Sequence, residues 1–169
     1  MGLILIASGL WVYSTIEDRP KVEHAFWDIP LDATKSDVRF IKGEPSEKDD
    51  DMWRYFTRHE NGNWATAYYV HFHEDKVWCI TFYANGRSWE ANIQSINIGD
   101  GVDEVHRKFG EASHVSISED ELKRLYTFSR YNVVFELEKN KVTALGIARR
   151  APRFASAGKN DRRITGKGK

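Results

Sequence analysis

The feature that most constrains this chain is a stretch of sequence that occurs twice. Leu31, Val38, Gly43 and Glu44 recur 67 positions later, without a gap, as Ile98, Val105, Gly110 and Glu111. A second block follows each copy, in which Phe72, Lys76 and Val77 return as Leu137, Lys141 and Val142. An internal repeat replaces one large fold with two small ones that share a core. Each copy begins with a short helix. In the first, Thr34 is the N-cap, Asp37 sits in the positive first turn, Val38 and Ile41 share a face, and Gly43 with Pro45 stops the helix. In the second, Asp100 caps, Val102, Val105 and Phe109 face inward, and Gly110 terminates.

Strands follow each helix. Trp53 to His59 alternates, Asn61 and Gly62 supply a type I′ turn signal, and Trp64 to His73 returns. Glu74 to Lys76 then turns the chain into Val77 to Tyr83. In the second copy the strands are Leu125 to Arg130, Val133 to Glu138 and Lys141 to Ala148, and Ser118 to Glu121 reads as a capping box opening one more helical turn. The fold class expected is therefore α+β, as two tandem repeats of short helix followed by a three-stranded antiparallel meander. Residues 24–96 form the first repeat and 97–149 the second.

The two ends differ from the body. Residues 3–16 carry no charge and precede the run Glu17 to Lys21. Fourteen helical residues span about 21 Å, short of the ~30 Å hydrocarbon core, and no basic n-region precedes them. Residues 1–17 read as a membrane anchor or signal segment, with an N-terminal core element as the alternative. From Arg149 onward there are eight Lys or Arg and one Asp. The formal net charge of zero thus divides into +7 on the tail and −7 elsewhere. Residues 150–169 hold only Phe154 and Ile164 as large apolar side chains and read as a disordered basic tail.

The repeated pattern of short helix, central Val, Gly-Glu stop and meander resembles the small domain of the outer-membrane assembly lipoproteins of the BamE (SmpA/OmlA) type. The β-lactamase inhibitor proteins carry that domain in tandem. The resemblance covers roughly residues 29–83 and 97–148, and implies a bacterial envelope location and a non-catalytic protein-binding role of assembly or inhibitor type. This chain departs from the lipoproteins in lacking a lipid-bearing cysteine, and from the inhibitors in having no disulfide, since Cys79 is its single cysteine.

Motifs for nucleophilic, phosphate-binding or zinc-protease chemistry are absent from the sequence, so no enzymatic activity and no cofactor are expected. His71 and His73 alternate onto one face of a strand and are the metal candidates, with Cys79 on the next strand. His24, His59, His106 and His114 read as scattered surface or helix positions. All five tryptophans after Trp11 belong to the first copy or its flanks. Interface hot spots are enriched in Trp, Tyr and Arg, so Trp64, Tyr69 and Trp89 are the expected contact patch for another envelope protein. The tail offers a second surface for anionic lipid or another polyanion. The competing reading is a cytoplasmic nucleic-acid or anionic-surface binder that works through that tail.

Overall fold

The structure, a computed structural model, describes residues 19–58, 64–84 and 91–149, with the side chains of Arg58, Trp64 and Ala65 outside the description. The chain starts with a two-residue hairpin, β1 (Ala25–Phe26) and β2 (Ile29–Pro30), followed by α1 (Lys35–Lys42). Strands β3 (Glu47–Lys48), β4 (Met52–Arg58), β5 (Trp64–His73) and β6 (Lys76–Ala84) complete the first half. The second half runs β7 (Asn92–Ile93), β8 (Ile96–Asn97), α2 (Val102–Phe109), β9 (His114–Ile117), β10 (Lys123–Phe128), β11 (Val133–Glu138) and β12 (Lys141–Ala148).

The expected α+β class, with two helix-plus-three-strand repeats, is overturned. The protein is mostly β: one eight-stranded antiparallel sheet in the order β3-β4-β5-β6-β12-β11-β10-β9, with only two helices, each of eight residues, among the described residues. The physical reason is the seam. A three-stranded meander leaves its last strand with open N–H and C=O groups, and here β6 and β12 satisfy each other, with Cys79 opposite Ala148 and Tyr83 opposite Ala144. Local pattern carries no signal for that long-range pairing. A further strand was missed in each half. Glu47–Lys48 lies inside the acidic stretch Ser46 to Asp51, which carries no apolar alternation, and His114–Ile117 is too short to show one.

Within the one sheet, the halves occupy corresponding places. Both helices start where a side-chain carboxylate reaches back to the N-cap amide: Thr34 N donates to Asp37 Oδ2 at 2.8 Å, and Gly101 N to Glu104 Oε2 at 3.3 Å. The second cap is Gly101, one residue beyond the expected Asp100. Hydrogen bonds of 2.8 Å from Asp32 N to Val77 O and from Gly99 N to Val142 O tie each helix approach to its last strand. Four two-residue turns have positive φ at both positions, Trp27-Asp28 and Glu74-Asp75 in one half and Gln94-Ser95 and Lys139-Asn140 in the other. That is the type I′ requirement, which matches the twist of the flanking strands.

Both helices and both hairpins pack on the same side of the sheet. A row of directly opposed residues, Trp53, Val70, Ile80, Ile147, Val133 and Phe128, floors this layer from β4 to β10. It belongs to one apolar cluster with Ile29, Val38, Ile93, Val105 and Phe109. Val38 and Val105 are both fully buried, each contributing about 1.5–3 kcal/mol of transfer free energy. The other side of the sheet has its own small cluster, Cys79, Val134 and Ala148 with Trp78, which contains no helix or hairpin residue.

Candidate partner-binding face

The second side of the sheet is organised by strand alternation. One cross-strand row runs through all eight strands as Glu47, Arg54, Tyr69, Thr81, Gly146, Val134, Thr127 and His114. A second runs Phe56, Ala67, Tyr83, Ala144, Glu136, Leu125 and Ser116. The rows change character at the β6–β12 seam. On the first-half side Glu47 is exposed, Arg54, Phe56, Tyr69 and Tyr83 are partly exposed, and the smaller Ala67 and Thr81 between them are buried, whereas on the other side Val134, Thr127, Glu136, Leu125 and Ser116 are all buried.

The open half is aromatic. Tyr69 meets Phe56 and Tyr83 edge to face, with ring centroids 6.4 and 5.1 Å apart, so three adjacent strands present a connected strip of rings. Arg54 is held beside it by Glu47 at 3.0 Å and Asp49 at 2.9 Å. Next along β5, His71 packs on Trp78 at 5.9 Å. Trp78 reaches this side because β6 carries one extra residue there: His71 opposes Cys79, and Phe72 opposes Val77. Burial and the neighbouring Arg54 guanidinium hold the His71 imidazole down to about 4, so it is neutral at physiological pH.

The metal candidates do not converge. Cys79 lies directly opposite His71, but burial pushes its thiol up to about 12, and His73 points outward, 3.9 Å from Glu74. Among the described residues no group of three or more His, Cys, Asp or Glu is placed to hold a metal ion. Of the expected contact residues, Tyr69 is in the middle of the open strip. The Trp64 side chain and all of Trp89 lie outside the described residues, although the Trp64 backbone pairs with Arg58. Phe56, Trp78 and Tyr83 were not anticipated. Phe56 was legible, since Arg54 and Phe56 alternate with the inward Trp53 and Tyr55. His114, read as a surface or helix position, is instead buried in β9.

Across the seam the buried carboxylate of Glu136 is satisfied by Lys123 Nζ at 3.0 Å and Thr143 Oγ1 at 3.1 Å. Tyr83 lies 3.5 Å from it, and burial with that charge raises the phenol well above its usual range. On the helix side, a cavity of about 320 Å³ lies between the hairpins, lined by Phe26, Trp27, Asp28, Asn92, Gln94 and Ile147. Gln94 straps its rim, donating to Lys21 O at 2.6 Å and Glu23 Oε1 at 2.8 Å.

No protein-family model matches the sequence, and no curated protein matches it. Among solved structures the chain is similar to a DUF4309 family protein, YjgB, from Bacillus subtilis, at 16% identity and TM-score 0.51, over 82% of this chain and 93% of that one. It also aligns with an extracellular protein containing a SCP domain from Bacillus anthracis, at 13% identity and TM-score 0.48, over 70% of this chain and 43% of that one. A cysteine-rich secretory protein from Staphylococcus aureus aligns at 11% identity and TM-score 0.48, over 77% of this chain and 46% of that one. The Bacillus subtilis likeness is one of fold alone. It nevertheless corrects the resemblance to BamE-type and β-lactamase-inhibitor domains: the neighbour is a DUF4309 protein matched over nearly its whole length, and the fold is a continuous sheet of eight strands. The shared signature of Val, Gly and Glu reports helix-stop chemistry that many small folds need.

Proposed function

We propose that the protein is a non-catalytic binding module of the bacterial cell envelope that captures a partner protein on the open half of its sheet. The observation that carries this reading is the strip of Phe56, Tyr69 and Tyr83, partly exposed on a face that no described helix covers, beside an Arg held in place by two carboxylates. Rigid rings and a fixed guanidinium give contact area with little ordering entropy. Trp64 and Trp89 belong to the proposed contact surface on sequence grounds. The envelope location is supported by the uncharged residues 3–16. The basic residues beyond Arg149 would add attraction to anionic lipid, worth about 1 kcal/mol each near such a surface.

A photo-crosslinking residue placed at Tyr69 in cells tests the proposal. A discrete protein adduct, lost when Phe56→Ala is added, is the expected result. No adduct, or the same adducts from a crosslinker at Phe40, an exposed site on α1, would overturn it.

A further inference from the structure

The cavity between the two hairpins has no part in partner capture, since it lies on the other side of the sheet. Its walls come from counterpart turns of the repeat, Trp27-Asp28 and Gln94-Ser95, 67 positions apart, and Ile147 of β12 lines it with them. Its volume of about 320 Å³ is at the small end of the range for organic ligands. The local sequence works against the geometry here. A type I′ turn favours Asn or Asp followed by Gly, yet Trp27 stands at φ 54° and Gln94 at φ 50°. A bulky side chain in that region persists only where its surroundings hold it. Tyr68 stacks on the Trp27 ring at 3.9 Å, and the Lys42 ammonium lies 4.3 Å from it. Gln94 is held by the backbone of Lys21, accepting from its N–H at 2.8 Å and donating to its carbonyl at 2.6 Å. Both walls are thus locked before any ligand arrives.

Hydrogen-bond capacity decides what could fill the space. The Gln94 amide is engaged at both ends, and its Nε2 also donates to Glu23 Oε1 at 2.8 Å. Asp28 is neutralised by Lys42 at 3.0 Å, and Asn92 Oδ1 accepts from Ser95 N. Glu23 remains. Its backbone is pinned at the turn between β10 and β11, where Glu23 N donates to Tyr131 O and Asn132 Nδ2 to Glu23 O, each at 2.9 Å. Gln94 fixes one carboxylate oxygen. Among the described residues the other oxygen takes no donor, and no Lys, Arg or His pairs with the carboxylate. A half-buried carboxylate held rigid in a cavity walled by Phe26, Trp27 and Ile147 is matched by a donor that carries positive charge.

We propose that this cavity is a binding site for a small organic amine, whose ammonium bonds Glu23 Oε2 while its apolar body lies against Phe26 and Ile147. The site lies beyond the partner-binding reading and does not rest on it, because the cavity and the aromatic strip are on opposite sides of the sheet.

The full chain, isotopically labelled, is titrated with benzylamine and followed by its amide NMR spectrum, with benzyl alcohol and benzoate as probes of similar size that lack positive charge. Benzylamine should shift the backbone amides of Phe26, Asp28, Asn92 and Gln94 saturably, with a Kd on the order of 1 mM, and the other two probes should bind at least about tenfold more weakly. Glu23→Gln, which keeps an acceptor for Gln94, should weaken benzylamine by the same factor. Gln94→Ala, which releases the carboxylate from its strap, should weaken it as well and serves as the second variant should Glu23→Gln misfold. Glu119→Gln, which removes an exposed carboxylate between β9 and β10, should leave it unchanged. Equal binding of benzyl alcohol would overturn the proposal, and so would benzylamine binding that survives Glu23→Gln, an equal loss in Glu119→Gln, or no shift at about 10 mM benzylamine. Crosslinking at Tyr69 reads the opposite side of the sheet, so either result can fail without the other.

Discussion

Thr81 and Gly146 oppose one another across the β6–β12 seam, and each is the other's counterpart in the repeat, 65 positions apart. A local two-fold axis therefore passes between them, relating Tyr83 and Ala144 to Ala148 and Cys79. Gly146 cannot carry a side chain there. A Cβ would collide with the Ile80 carbonyl oxygen and sit 2.8 Å from Thr81 Cα. Gly146→Ala should cost about 3 kcal/mol in chemical denaturation. Because the obstruction is backbone, Thr81→Ala should not relieve it, and a double mutant more stable than Gly146→Ala alone would refute this account.

The two helix stops should be equally sensitive. Gly43 and Gly110 both have φ near 78° with extended ψ, and each donates its N–H to the carbonyl four residues back at 2.8 Å. Nothing lies within 4 Å of a Cβ at either site, so substitution meets only the conformational penalty. Gly43→Ala and Gly110→Ala should each lose about 1–3 kcal/mol. Unequal losses in urea titrations would show that the two stops are not equivalent.

Acid should weaken the fold through His71. Its folded pKa of about 4 lies below the ordinary 6.5, so between those values the unfolded chain binds more protons. Stability is then fully present above pH 6.5 and declines as the pH falls toward 4, by on the order of 2–3 kcal/mol. Asp37 and Asp120, both lowered by hydrogen bonds from Thr34 and Ser118, act only below 3.8. His71→Gln should flatten the denaturation midpoint across the window from pH 6.5 to 4, and an unchanged slope would mean that another group is responsible.

The Lys123–Glu136 pair is asymmetric, with side chains 42% and 5% exposed. Removing the lysine leaves a buried carboxylate that retains the Thr143 hydroxyl. Lys123→Met should therefore cost about 2–4 kcal/mol, and adding Glu136→Leu should restore most of it. Thermal melts of the single and double mutants check this, the outcome at odds being a double mutant no better than Lys123→Met.

Local chemistry was readable where it was short-range. Thr34 and Asp37 marked one helix start, Gly43 and Gly110 both helix ends, and the alternation in Trp53 to Thr57 a strand face. Ser118 to Glu121 shows the limit of such reading. The same residues that open a helix also close a turn, and here Ser118 Oγ bonds Asp120 at 2.5 Å and Lys123 O at 3.2 Å between β9 and β10. What was not readable is the seam, because Cys79 to Tyr83 and Ala144 to Ala148 are ordinary strand sequences whose partner is decided over more than sixty residues. The site followed suit. Tyr69 could be placed on a face from parity, but that the face stays open only on its own side of the seam depends on packing across the whole sheet.

That axis has one further implication. A homodimer built on the same seam would have to display any surface twice, since one sequence serves both subunits. Joining the halves in a single chain lifts that obligation. Tyr69 and its counterpart Val134, or Arg54 and its counterpart Thr127, were free to drift apart, so the protein keeps the geometry of a symmetric pair while only one partner remains available for contact.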